Sequence, residues 1–542
     1  MMQARDDTVF DYVVIGSGFG GSVSAMRLAE KDYRVLVLER GKRYRDEDFA
    51  TTNWHVQKYL WLPQVRCYGI LQLTFFRNVV VLHGSGVGGG SLGYANVLTS
   101  PDPSLFQAPA WRHLADWKNI LQPHYDTARR MLGVNANPRL WPADHVLADI
   151  ASDLGRKEHF HPTAVGVYFG EPDVEAADPY FGGQGPQRRG CKFCGACMVG
   201  CRHNAKNTLV KNYLHFAEAW GAVVRSESEV MDIRPLPVGQ SDGARFEVAC
   251  RRSTAYFGGM QTVRARNVVV SAGVIGTLKL LFRCRDVTRS LPHLSPRLGD
   301  LVRTNSESLT GVIDRRDHPD YSEGIAITSI LQADDMTYVE PVRYPAGSSL
   351  MRFLAGPMIE AGSNVPERLA KVIGRAIRHP GDSYRMMIKP GWARRATILL
   401  TMQTEDSYMT LRLGRHALTL FRRGLVSDVA SGLTMGHVET AHDLTYAFAR
   451  KTGGISAAAV TESLFNVPMT AHILGGAPMG LNPDEGVIGI DCQVHNYPGL
   501  YVVDNSIMPA NPGVNPSLTT TALAEYAMSR IPARPGYEQR RL

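Results

Sequence analysis

Residues 11–40 read DYVVIGSGFGGSVSAMRLAEKDYRVLVLER, and the parsing of this run decides the fold. Tyr12 to Ile15 is a short, β-branched apolar run, the pattern of a strand buried on both faces. It stops at Gly16. Gly16, Gly18 and Gly21 have the spacing G-x-G-x-x-G, with Phe19 and Gly20 completing the turn. The first glycine permits the tight turn and the second lets backbone approach a pyrophosphate. The third lets the following helix pack close to its strand. That helix has Val23, Met26 and Leu28 on an apolar side, and its N-terminus aims unsatisfied N–H groups at phosphate. Val35 to Leu38 reads as a second strand ended by Glu39, a carboxylate suited to a ribose with a free 2′-hydroxyl and repulsive to a 2′-phosphate. Strand, glycines, helix, strand and acid fall in register, as in a dinucleotide-binding βαβ unit.

The chain has 542 residues, 44% of them hydrophobic, enough for two sizeable cores or one large discontinuous core. Its start, MMQARDDTVFDY, has no apolar h-region, so no secretory signal is expected. No apolar run reaches the length of a bilayer span. A net charge of +8 without a long Lys/Arg block gives nucleic-acid binding little support and leaves a weak attraction to anionic membrane surfaces open. Of the eight cysteines, four crowd between 191 and 201. That distribution points to a reducing, cytoplasmic setting, with peripheral membrane contact still open, and to a local site rather than a disulfide framework.

Outward from the first unit, Tyr59, Trp61, Phe75 and Phe76 mark an aromatic-rich segment. It reads first as a loop packed on the domain and second as a lid over an apolar pocket. Residues 81–97, VLHGSGVGGGSLGYANV, form a second glycine cluster. Backbone without side-chain bulk can lie flat against a planar ring and offer it N–H donors. Gly86, Gly89, Gly90, Ser91, Asn96 and Val97 are therefore candidate cofactor contacts. Arg266 to Thr277 repeats the order strand, glycine turn, helix. From about 300 to 465 alternating segments such as Gly324 to Leu331 indicate an antiparallel sheet. Leu500 to Asp504 is again a strand ending in an acid, and Asn515-Pro516 opens a long helix. The expected architecture is α/β: a discontinuous Rossmann-like domain of residues 8–300 and 466–535, with a cysteine-rich insertion near 185–205, and a substrate-binding cap of residues 301–465. Within the cap, residues 365–378 form an amphipathic helix with Leu369, Val372, Ile373, Ala376 and Ile377 on one face and Arg368, Lys371, Arg375 and Arg378 off it. Such a helix can lie on a membrane, but the ordinary expectation is that its apolar face packs on its own domain.

Cys191-x2-Cys194-x2-Cys197-x3-Cys201 has the spacing of a bacterial ferredoxin run, with Arg202 where the ferredoxin has proline. Structural zinc usually takes two well-separated cysteine pairs. An iron–sulfur cluster is one expectation, and four cysteines fixing a loop is the other.

His472 stands before Ile-Leu-Gly-Gly and 43 residues ahead of Asn515. With the N-terminal unit, this pattern resembles the glucose–methanol–choline (GMC) oxidoreductases, FAD enzymes that oxidise alcohols. The likeness covers the first 100 and the last 75 or so residues. Tyr180-Phe-Gly-Gly, the cysteine run and Arg303-Thr-Asn-Ser-Glu-Ser look like the cholesterol oxidase branch. The resemblance implies FAD, non-covalent because no histidine follows Gly90-Ser91, and catalysis by His472 and Asn515. It sets Asp504, Asn505 and Pro516 along the cofactor and Val230 at its adenosine end. It also implies oxidation of a sterol 3β-hydroxyl, with O2 or another acceptor, and movement of the 5-ene to the 4-ene with Glu340 as base. Against that role Glu340 reads equally as a solvent-facing residue, and Arg343 is near enough to hold it ionised. Two other readings stay open: a GMC dehydrogenase for a different hydrophobic alcohol, and a flavin/iron–sulfur electron-transfer protein.

Overall fold

The strand Arg5–Ile15 pairs in parallel with Val35–Leu38 on one side and with Gln261–Val270 on the other. Val223–Arg225 extends the sheet beyond Val35–Leu38, and Leu500–Val502 extends it beyond Gln261–Val270. The hairpin Ser228–Pro235 and Phe246–Arg252 pairs antiparallel along the first half of Gln261–Val270. Val13, Val14, Leu36, Val37, Val268 and Val269 are wholly buried, as continuous β-branched runs require when both faces are covered. This computed structural model describes every residue other than 1–4, 238, 241, 256, 360–363, 417–418, 420, 430–437, 538–539 and 541.

The helix Phe19–Glu30 packs against Ser517–Ser529. Arg27 bridges to Glu525 at 2.7 Å, and Lys31 Nζ donates to the carbonyls of Met528 (2.7 Å) and Ile531 (2.5 Å). One core runs from Phe10 to Ile531, so the chain leaves this domain and returns to close it.

A seven-stranded antiparallel sheet forms the second layer, in the order Ala355–Pro357, Ile455–Ala459, Ser308–Ile313, Ala396–Gln403, Thr337–Val342, Ser329–Gln332, Phe160–Pro162. Strand alternation divides its side chains. Val312, Val339 and Leu399 meet Leu147 and Phe448 of the covering helices, while Leu309, Val342, Ile398 and Leu400 face a cavity. Packing crosses the 301–465 limits in both directions. Helix Pro142–Asp153 and strand Phe160–Pro162 join the cap sheet, and Leu411 and Leu425 of a hairpin within that range enter the first core.

The helix Val365–Arg378 departs from expectation. Its buried residue is Arg368, and the apolar stripe of Leu369, Ile373 and Ile377 is exposed. Arg368 donates to the carbonyls of Glu462 (2.6 Å) and Ser463 (3.0 Å), in the last turns of helix Val460–Phe465. A guanidinium at a helix C-terminus is favourable, and this contact turns the stripe outward. Among the described residues no helix is long and apolar enough to cross a membrane.

Candidate active site

A cavity of about 400 Å³ lies between the glycine turns of the parallel sheet and the open face of the cap sheet. Gly16, Gly18, Phe19, Gly20, Glu39, Gly89, Gly90, Val97 and Val230 line it from the first domain, and His472, Asp504, Asn505, Asn515 and Pro516 from the C-terminal return. The glycines divide by task. A Cβ on Gly20 would sit 1.8 Å from the Val503 carbonyl oxygen, and one on Gly21 2.0 Å from that of Gly16, so both are needed for packing. A Cβ on Gly18 would meet nothing within 4 Å. Gly18 is also the N-cap of Phe19–Glu30 and supplies no side-chain cap, which leaves the helix N-terminus suited to a pyrophosphate.

Glu39 accepts from Ser17 N (3.1 Å), Ser17 Oγ (2.7 Å) and Gly41 N (2.7 Å), which fixes its carboxylate on the cavity wall. Asp504 accepts from Gly273 N (2.9 Å), Thr277 Oγ1 (2.5 Å) and Ser506 N (2.8 Å), and burial raises its carboxyl above the usual range. Uncapped helix, carboxylate and the bare wall at Gly89–Gly90 together fit a bound FAD.

The short strand Met469–Thr470 pairs in parallel with Val80–Val81, so His472 lies beside the segment that leads into the second glycine cluster. His472 Nδ1 is 3.0 Å from Glu307 Oε2. Glu307, almost wholly buried, also accepts from Thr470 Oγ1 (2.8 Å) and Ala471 N (3.1 Å). The loop carrying Glu307 is bolted to the loop carrying Asn515: Asn305 Nδ2 donates to Val514 O (3.0 Å), and Asn305 Oδ1 accepts from Gly513 N (3.0 Å). Asn515 Oδ1 is buried without a hydrogen-bond partner at the cavity wall, and such an orphan is costly unless a ligand meets it.

Glu307 and His83 were not singled out by sequence. Glu307 sits in the quoted Arg303-Thr-Asn-Ser-Glu-Ser run, but nothing in spacing pairs it with a residue 165 positions away. His83 lines the cavity, touches Thr74 Oγ1 at 2.9 Å, and burial lowers its pKa to about 3, so it stays neutral.

Several expected contacts lie off the cavity. Glu340 is fully buried rather than solvent-facing, does not line the cavity, and has no hydrogen-bond partner on either oxygen. Burial raises its pKa to about 8, with Asn515 pulling it down and Glu307 adding to the rise. Arg343 does not hold it ionised. Three residues along, it points to the other face and bonds Glu323 O (2.6 Å) and Thr328 Oγ1 (2.6 Å). Gly86 abuts Gly41, and Ser91 Oγ binds Gly88 O (2.7 Å) and Leu209 N (3.0 Å), so both shape the turn from behind. Asn96 adopts a left-handed φ of 73°, is fully buried, and sits beside Cys197 rather than on the cavity wall.

The iron–sulfur expectation gains no support from the placement of the sulfurs. Cys191, Cys194, Cys197 and Cys201 are all free thiols, and among the described residues no group of three or more His, Cys, Asp or Glu is placed to hold a metal. Gly195 in the left-handed region turns the chain between the second and third cysteines. Cys191 becomes buried while Cys194 is exposed. Lys206 Nζ lies here instead, donating to the carbonyls of Leu92 (3.0 Å), Tyr94 (2.8 Å) and Cys197 (2.8 Å). It ties the cysteine loop to the second glycine cluster, and burial lowers its pKa to about 7.

Residues 11–341 match the family described as FAD dependent oxidoreductase, and residues 398–524 that described as GMC oxidoreductase. The chain is 43% identical over 536 residues to a cholesterol oxidase of Acinetobacter baumannii, covering 98% of this chain and 96% of that one. It is also 43% identical over 542 residues to a cholesterol oxidase of Mycobacterium tuberculosis, covering 96% and 91%. Among solved structures, the pyridoxine 4-oxidase from Mesorbium loti superposes with a TM-score of 0.60 at 16% identity, over 96% of this chain and 99% of that one, a likeness of fold. Matched over nearly its whole length by relatives of this similarity, and built around a cavity that fits the cofactor, the chain belongs to the FAD-dependent GMC oxidoreductases.

Proposed function

We propose that the protein oxidises the 3β-hydroxyl of a sterol to the ketone, with non-covalent FAD and with O2 as electron acceptor. The observation that carries this reading is the pairing of His472 with Glu307 on a cavity glycine-lined at one end and apolar at the other. Bound FAD supplies the acceptor for the hydride leaving the carbinol carbon. The protein's own residues hold that carbon, take the hydroxyl proton and exclude water. The Glu307 carboxylate, 3.0 Å from Nδ1 of His472 as a charge contact without hydrogen-bond alignment, orients the ring and leaves Nε2 to take the proton. The Asn515 amide, unpartnered on its oxygen, hydrogen-bonds at the same place and fixes the hydroxyl. Leu309, Val342, Ile398 and Leu400 offer a flat apolar wall to a fused-ring body.

Isomerisation of the ketone is a second step that Glu340 would serve, since a carboxyl with a pKa of about 8 has the proton affinity of a usable base. Eight free thiols agree with a reducing, cytoplasmic setting.

Anaerobic mixing with cholesterol and a panel of long-chain alcohols tests the reading through bleaching of the flavin. Cholesterol should bleach it, and His472→Ala and Asn515→Ala should each slow bleaching without loss of colour, the former by about 10²- to 10⁴-fold. Bleaching by another hydrophobic alcohol and not by cholesterol would move the substrate, and unchanged rates in both variants would remove the catalytic assignment. Acid precipitation should give a colourless pellet; a yellow one means covalent attachment.

A further inference from the structure

The helix Val365–Arg378 carries an apolar face that stands exposed among the described residues. Val365, Leu369, Ile373 and Ile377 recur every fourth residue and are 45, 46, 50 and 74% exposed. Helix Pro380–Met387 packs beside it and is followed by Ile388, 64% exposed. Isolated exposed apolar residues are ordinary, but a continuous stripe marks an interaction surface. The surrounding charge is one-sided. Residues 365–395 hold eight Lys/Arg and two Asp/Glu; Arg368 and Arg395 are buried and Lys389 and Arg394 pair with Asp317 and Asp320, so Lys371, Arg375, Arg378 and Arg385 form the basic flank. Both acids are engaged, Glu367 with Lys371 at 2.9 Å and Asp382 with Arg315 at 2.7 Å.

We propose that this face docks on a bilayer bearing anionic headgroups, with the helix lying in the plane of the interface. An apolar stripe flanked by Lys and Arg is the pattern of an interfacial helix, held by buried apolar area and by attraction to anionic lipid. A second copy of the chain is the poorer occupant, because a self-complementary contact brings one basic flank against another. Trp54 and Phe353, both exposed and edge-to-face at 6.0 Å, lie at the border of the same face, where interfacial aromatics belong. Arg352 links them to it, lying over Trp54 and donating to the carbonyl of Ile388 (3.2 Å).

The patch also shares a wall with the cavity. The turn Leu350–Leu354 packs on Pro380–Met387 and lends Met351 and Leu354 to an apolar chamber of about 100 Å³. That chamber and the main cavity have Leu82, Leu309, Tyr344 and Ile398 in common. A sterol leaving the bilayer would find apolar side chains along this route; this consequence rests on the sterol reading above, whereas the docking does not.

The test is co-sedimentation of the FAD-loaded enzyme with phosphatidylcholine vesicles, plain or doped with phosphatidylserine, for wild type and for Leu369→Glu/Ile373→Glu. Wild type should pellet with the doped vesicles and far less with the plain ones. The double variant should lose about tenfold or more of its partition. It should keep flavin content, Tm and turnover of detergent-dispersed substrate, because both positions are exposed. Failure of wild type to pellet, or equal pelleting by the variant, overturns the proposal. So does light scattering that shows a wild-type dimer which the variant dissociates, since a second copy would then cover the face. Vesicle binding without bleaching by cholesterol would leave docking intact and remove the sterol reading instead.

Discussion

Glu340→Gln should change how the protein's stability responds to pH, by an amount the burial of this residue sets. In the folded state the carboxyl is fully buried without a hydrogen-bond partner, and its pKa rises from 4.5 to about 8. Between those values the folded protein holds a proton that the unfolded chain has lost. The stability this group contributes is therefore fully present below about pH 4.5 and is lost as pH rises through about 8. Linkage puts the loss from about pH 5.5 to about pH 8 at about 3 kcal/mol, or about 3 °C in Tm for a chain of 542 residues. Glutamine keeps the shape and never ionises. Calorimetric melts of FAD-loaded wild type and Glu340→Gln at the two pH values isolate this group, because every other titration is common to both. The variant's Tm relative to wild type should rise by about 3 °C on going to the higher pH. A difference that stays constant would mean that Glu340 is ionised throughout, its burial offset by the Asn515 amide.

In the same variant ketone formation should persist while isomerisation stops, read by the absorbance of the conjugated enone; loss of both steps would make Glu340 structural. Glu307→Gln should lower kcat per bound flavin by about 10-fold, the weight of a buried charge contact with His472, and move the acidic limb of the pH–rate profile. An effect confined to Tm or flavin content would deny it a role in positioning His472. Gly18→Ala should fold and bind FAD about 10- to 100-fold more weakly, because its methyl enters open cavity. Gly20→Ala should yield little folded protein, because its methyl meets the Val503 carbonyl at 1.8 Å, and normal FAD titration of either variant would overturn that division. Protein purified anaerobically should contain neither iron nor acid-labile sulfide; stoichiometric amounts of both would restore the cluster.

Local signals carried much of this architecture. The βαβ unit is legible because its period, its glycines and Glu39 all lie within thirty residues, where spacing maps directly onto geometry. His472 and Asn515 were legible through family pattern, and both line one cavity. Glu307 was not, because its meeting with His472 depends on how the loop at 303–307 is bolted to residues 511–515, a contact no local window contains. The cysteine run meets the same limit: ferredoxin-like spacing states which sulfurs are near in sequence, whereas turns such as that at Gly195 decide where they point. The helix at 365–378 misled through its guanidinium. Amphipathic periodicity says which residues share a face, but the anchoring of Arg368 on Glu462 and Ser463 decided which face turned inward.

The central strand Gln261–Val270 holds Arg5–Ile15 on one edge and Leu500–Val502 on the other. On a ribosome the first partner is available early, and the second emerges only after some 230 further residues have been made. Until then the half of that edge beyond Phe246–Arg252 stays open, and a surface that the helix at Ser517–Ser529 later covers faces solvent or a chaperone. Nucleotide capture therefore belongs to the end of synthesis, so scarcity of the cofactor should be felt as a burden on quality control before it is felt as a lower rate per molecule.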